Sequence, residues 1–320
     1  MSLFDEDLSS LEKCPHYPGF AQWGHSRPEI DVWCLCLGYT SEMRYGSIAG
    51  LLALSITVTA HQSHDGAGGS GPFPATYFTD PTLPRHTIYS PSAPPPGPAT
   101  LPVLVFAEGG CDNNGTKFEP FLTNIASYGF LVLALGPPNG TGSIFEDAMN
   151  EAVSWIQEKA GFGGKYESVD SLRIAAAGQS CGGLLAYTQR SNDAVGFLGT
   201  FNSGLLGDTP DAESNLPEGM IIEEPSVVKE VKKPVFYFIG GEGDVAYPAA
   251  TADYHNLTGV PMWIGNYPVG HSGTYREPDG GEFGVAAVKW LQWVLKRDQA
   301  AATFLTCGGA ERAGWNGTAS

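Results

Sequence analysis

Basic side chains are scarce in this chain: 17 Lys and Arg stand against 34 Asp and Glu in 320 residues, a formal charge of −17 with His neutral. A field of that sign repels a phosphate backbone and an anionic bilayer surface, so neither nucleic acid nor membrane is an expected partner. Charged residues of both signs amount to only 16%, whereas hydrophobic residues reach 42%. That balance excludes disorder as the default state and allows a sizeable core. Histidine (7) and cysteine (6) are also few. Cys14, Cys34 and Cys36, with His16 and His25, match no common zinc spacing, so no metal site is expected. No internal repeat is visible.

Glycine (42) and proline (24) are plentiful, which suits a site built from turns on a rigid sheet. Residues 43–60 read as a secretory signal peptide: Met43 and Arg44 form a short positive start, Ile48 to Val58 an apolar stretch, and Val58 and Ala60 a small-residue cleavage pattern before His61. The stretch is too short to span a bilayer, which takes about 20 apolar residues. Residues 1–42 are an uncertain extension, and Met43 is the favoured initiator. Secretion to the extracellular space is therefore expected. Sequons at Asn114, Asn139, Asn256 and Asn316 could each carry glycan on a eukaryotic secretory route, though sequons also arise by chance. Cleavage would leave Cys111, Cys181 and Cys307, one of them without a partner in the chain.

Residues 61–99 form a flexible, Pro-rich leader in which 76–90 could supply antiparallel edge strands. From residue 101 apolar strand-like runs alternate with amphipathic helical segments. The strands are Leu101–Ala107, Phe130–Leu135, Leu172–Ala177, Val195–Phe201, Pro234–Ile239 and Val260–Tyr267. Helices are predicted over 117–128, 144–159, from Cys181, over 248–257 and over 283–297. Nearly continuous apolar strands divided by helices predict an α/β fold: a mostly parallel central sheet covered on both faces, over about 100–305, with 306–320 as a tail. The acidic segment 205–230 could rim a site at the strand ends.

Gly178-Gln179-Ser180-Cys181-Gly182 follows a predicted strand directly and opens a predicted helix. A serine on such a sharp turn is exposed as a nucleophile, and glycines two residues before and after relieve its crowding. Taking Cys181 as nucleophile would require glycine where Gln179 stands. Glu108-Gly109-Gly110-Cys111, after the first core strand, is placed to give one backbone N–H to an oxyanion, from Cys111 or alternatively Gly110. The second donor would be the N–H of Cys181. Two cysteines at adjoining donors raise the expectation of a Cys111–Cys181 disulfide bracing the hole. Asp244 ends the turn Gly240-Gly241-Glu242-Gly243 after a strand, the place for an acid that orients a histidine. Glu242 and Asp253 are its rivals, the latter discounted because it falls inside a helix. Among the histidines after residue 60, only His271, on the loop Gly270-His271-Ser272-Gly273, fits the chain order Ser, Asp, His. Tyr247 and Asn202 are candidates for substrate binding; for Tyr247, packing against the sheet is an equal alternative. Trp263 reads as core.

These motifs, with Asn202-Ser203-Gly204 and the loop Gly270 to Tyr275, resemble those of secreted α/β-hydrolases, the cutinase-like and polyester-hydrolase-like serine esterases, over roughly residues 99–300. Within that group the G-x-S-C-G-G elbow is the nearer likeness. Gln179 and Cys181 differ from the residues usual around the serine of characterised members, and Cys307 has no counterpart for a C-terminal disulfide. The resemblance implies hydrolysis of a small-molecule or polymeric ester, with no cofactor, on a core without a large cap domain. The spacing agrees on the cap: 64 positions separate Ser180 from Asp244, and 27 separate Asp244 from His271. The alternatives are an amidase or peptidase with the same triad, or a catalytically silent secreted binding protein. Oligomeric state is not legible.

Overall fold

The computed structural model describes residues 68–93, 95–96, 100–145, 147–205 and 225–319. The expected signal peptide, the 1–42 extension and most of the 205–230 loop lie outside them. Among the described residues no helix is long and apolar enough to cross a membrane.

Among the described residues nine strands form one mostly parallel sheet with helices on both sides, an α/β architecture. They are β1 (Ala75–Asp80), β2 (Leu83–Pro91), β3 (Leu101–Ala107), β4 (Leu131–Leu135), β5 (Val169–Gln179), β6 (Val195–Phe201), β7 (Val235–Ile239), β8 (Met262–Asn266) and β9 (Asn316–Ala319). Their spatial order is β1-β2-β4-β3-β5-β6-β7-β8-β9. The six strands from β3 to β8 run parallel; β1, β2 and β9 are antiparallel additions at the two edges. The helices are α1 (Glu119–Ser127), α2 (Ala148–Lys159), α3 (Cys181–Thr188), α4 (Tyr247–Asn256), α5 (Gly281–Lys296), α6 (Gln299–Thr306) and α7 (Gly309–Arg312).

The strands show why a continuous apolar run was the right signal. Side chains alternate across a sheet with period two, and here both faces are dry. Along β3, Val103, Val105 and Ala107 enter one layer while Leu104 and Phe106 enter the other. Along β7, Val235, Tyr237 and Ile239 face the first layer, and Phe236 and Phe238 the second. The first layer is largely aliphatic and is closed by α2, α3 and α4. The second is aromatic and is closed by α1 and α5: Phe201 stacks on Phe238 at 4.4 Å, and Trp290 and Trp263 both pack on Phe238.

The sheet extends beyond 100–305 on both sides. Residues 75–91, inside the expected leader, form a β1–β2 hairpin paired to β4. Part of the expected tail forms β9, which covers the outer edge of β8. Trp315, just before it, is buried against Phe238, Trp263 and Phe283. A four-residue strand reading Asn-Gly-Thr-Ala has no apolar period of its own; the open edge of β8 organises it.

Candidate active site

The parallel strands β3, β5, β6 and β7 end on the same side of the sheet, and the chemistry-bearing residues collect there. β5 ends at Gln179 and α3 begins at Cys181, leaving Ser180 alone to turn the chain, with φ 53° and ψ −120°. A non-glycine residue at positive φ is strained and persists only where its surroundings hold it. Here the Ser180 N–H donates to the Phe201 carbonyl at 2.9 Å. The Ser180 carbonyl accepts from the Gly183 N–H at 2.8 Å and the Ser203 hydroxyl at 2.7 Å. The flanking glycines are required by contact. A Cβ on Gly182 would sit 2.1 Å from the Ala107 oxygen, and one on Gly178 2.2 Å from the Gly182 carbonyl. The helix therefore packs backbone to backbone against two strand ends.

A hydrogen-bonded chain runs from that serine. Ser180 Oγ lies 2.9 Å from His271 Nε2, and His271 Nδ1 lies 2.7 Å from Asp244 Oδ1. Asp244 has a fully buried side chain, whereas that of His271 is 35% exposed, so the relay opens to solvent at the serine end. Burial by itself raises the carboxyl pKa of Asp244. Hydrogen bonds from His271, the N–H groups of Ala246 (2.9 Å) and Gly240 (2.9 Å), and Asn202 outweigh it and hold the carboxyl below its ordinary range. The side chain is an anion across the neutral range. His271 can then take a proton on Nε2 while Nδ1–H stays bonded to the carboxylate.

Opposite the relay, Gly109–Cys111 makes one 3₁₀ turn with Gly110 at φ 73° and Cys111 at φ 49°. Cys111 and Cys181 are joined by a disulfide, with Cα atoms 5.2 Å apart. The bond ties the turn after β3 to the first residue of α3, as the adjoining cysteines led one to expect. Cys181 N–H has no acceptor within its own helix and adds the positive end of the α3 dipole to the region. Cys307, expected to lack a partner, is also disulfide-bonded.

The remaining residues sort clearly. Glu242 is exposed. Asp253 sits within α4, where its carboxylate accepts from Tyr187 Oη (2.9 Å) and the Leu205 N–H (2.7 Å), and burial pushes its pKa up to about 7. His86 is buried on the Ala148 carbonyl, and His255 bonds the Thr251 carbonyl of its own helix. Tyr247 packs half-buried against the aliphatic layer. Asn202 departs from expectation: it does not line a pocket but is fully buried behind the relay, with both ends of its amide occupied. Its left-handed backbone, φ 45°, turns it inward at the end of β6.

Two participants carried no sequence signal for their placement. Gln179 Nε2 donates to the His271 carbonyl at 3.1 Å, and its Oε1 fills the space a Gly109 side chain would need, at 1.7 Å from the would-be Cβ. It links the turn after β3 to the His271 loop. Tyr275, buried in the aromatic layer, donates its hydroxyl to Asn202 Oδ1. A cleft of about 1020 Å³ lies at the other end of the sheet, lined among others by Arg173, Lys233 and Lys296, and includes none of these residues. No protein-family model matches the chain, and no curated protein matches it.

Proposed function

We propose that this chain is a serine hydrolase of the α/β-hydrolase type. Its reaction is the cleavage of carboxylic esters, small or polymeric, through an acyl-enzyme. The observation that carries the reading is the unbroken relay Ser180 Oγ–His271 Nε2–Asp244 Oδ1, with the serine strained at a strand-to-helix turn. His271 takes the Ser180 proton as Oγ attacks the ester carbonyl. The tetrahedral oxyanion is held by the N–H of Cys181 and one from Cys111 or Gly110. His271 then protonates the leaving alcohol, and a water molecule repeats the cycle to free the acid. The buried disulfide beside the hole is in keeping with secretion into an oxidising space.

Turnover of p-nitrophenyl esters from C2 to C12 tests this, with Ser180→Ala as control and a fluorophosphonate as covalent probe. Expected are hydrolysis and labelling of the wild-type chain and neither in the variant. A wild-type chain that neither turns over esters nor takes the label would overturn the assignment.

A further inference from the structure

We propose that Asn202 is a positioning residue of this relay: its carboxamide clamps together the His271 loop and the Asp244 oxygen that does not hold His271, at a place where a carboxylate would compete for the proton. The inference rests on the hydrolase reading and adds a residue outside the Ser–His–Asp set.

Asn202 N–H donates to the Phe238 carbonyl at 2.7 Å, tying the end of β6 to β7. Its Nδ2 donates to Asp244 Oδ2 at 2.6 Å and to the Gly270 carbonyl at 3.2 Å. Its Oδ1 accepts from Tyr275 Oη. One side chain thus joins the end of β6, the acid after β7, and the two ends of the His271 loop.

The amide orientation follows from the partners. Reversed, Oδ1 would face a carboxylate and a carbonyl, neither of which has a proton to give. Tyr275 remains a donor because burial, and secondarily the charge of Asp244, push its phenol pKa well up. Gly240 leaves the space: a Cβ there would lie 2.0 Å from the Gly270 oxygen and 2.9 Å from Asn202 Nδ2. Asp244 Oδ1 serves His271 and Ala246, and Oδ2 serves Asn202 and Gly240, so Asn202 supplies the last side-chain donor the carboxylate receives.

Asparagine and aspartate have nearly the same shape and differ at one group, an NH2 that donates twice here where aspartate has an oxygen that cannot donate. The titratable groups that the Asn202 side chain touches are Asp244 and Tyr275, and Asp244 in turn holds His271. A second carboxylate touching Asp244 would make the pair share a proton. Once both ionise, the added negative charge favours the imidazolium of His271, which then keeps its proton to higher pH.

The experiment is Asn202→Asp in the full chain, read in two ways. One is the pH profile of kcat/KM on a p-nitrophenyl ester; the other is an NMR titration of the His271 ring, which needs no turnover. Expected is an acidic limb moved up by about one pH unit, about tenfold lower kcat/KM on that limb, KM within about twofold, and a parallel rise in the His271 titration. A limb and a titration both equal to wild type would overturn the proposal. Should the wild type not turn over esters, the hydrolase reading falls and the NMR arm alone decides the role of Asn202. Should Asn202→Asp not fold, Tyr275→Phe carries the test by freeing Asn202 Oδ1. It is expected to lower kcat several-fold at unchanged KM and to broaden the low-field Nδ1–H resonance of His271. Wild-type values for both would overturn it.

Discussion

Two carboxyl groups are buried to nearly the same depth at the ends of core strands. Glu108 follows β3 and Asp244 lies in the turn after β7. Asp244 receives four hydrogen bonds and is held ionised. Among the described residues neither oxygen of Glu108 has a hydrogen-bond partner, and burial pushes its carboxyl well above the ordinary range; the opposing influence of Lys117 is smaller. Depth alone would make both neutral. Donors decide which one becomes an anion. The turns differ in how they are held as well: the one after β3 by the Cys111–Cys181 disulfide, the one after β7 by hydrogen bonds centred on Asp244.

The sharpest way to break that contrast is to remove the anion. Asp244→Asn keeps the shape but lets His271 take the wrong tautomer, and kcat on a p-nitrophenyl ester is expected to fall by about 10³–10⁴. Steady-state kinetics at pH 7–8 checks this; a loss under tenfold would place the essential acid elsewhere. The next effect is on the covalently held turn. Replacing both Cys111 and Cys181 by Ser opens a link across 70 residues and is expected to lower stability by about 2–4 kcal/mol, read by denaturant unfolding, together with slower fluorophosphonate labelling of Ser180. Unchanged labelling in a folded variant would mean that the bridge does not shape the proposed oxyanion donors.

Glu108→Gln is diagnostic by the sign of its pH dependence. In the folded chain Glu108 keeps a proton that the unfolded chain has released above its ordinary pKa. The proton-linked stability is therefore fully present below that pKa and is lost as pH rises toward the folded value. The glutamine variant is expected to gain on the wild type as pH rises from 5 to 8, by at most about 1.4 kcal/mol per pH unit. Denaturant midpoints at several pH values measure it, and parallel curves would mean that Glu108 is not held neutral. Asp244 has the opposite sign: its linkage supports the fold above the ordinary carboxylate range and is lost as pH falls through its lowered pKa.

Much of the architecture was legible because a strand buried on both faces must be apolar throughout. Leu101–Ala107 and Val195–Phe201 have the bounds their apolar runs indicate. The glycines around Ser180 were legible for a related reason: only glycine fits where α3 meets the strand ends at about 2 Å from a would-be Cβ. Asn202 was misplaced because a polar residue at a strand end reads alike whether it faces a ligand or a buried acid. Its partners Asp244, Gly270 and Tyr275 lie 42, 68 and 73 residues away.

The sequence by itself determined the layered α/β plan and the order in which Ser180, Asp244 and His271 appear, since both follow from local pattern: period, glycine placement and strand-end position. Tertiary structure alone decided which buried carboxyl is charged, how the Asn202 amide is turned, and that Asn316–Ala319 completes the sheet. Each of these depends on donors, acceptors or a strand edge supplied by segments distant in the chain, and no local pattern encodes such a meeting.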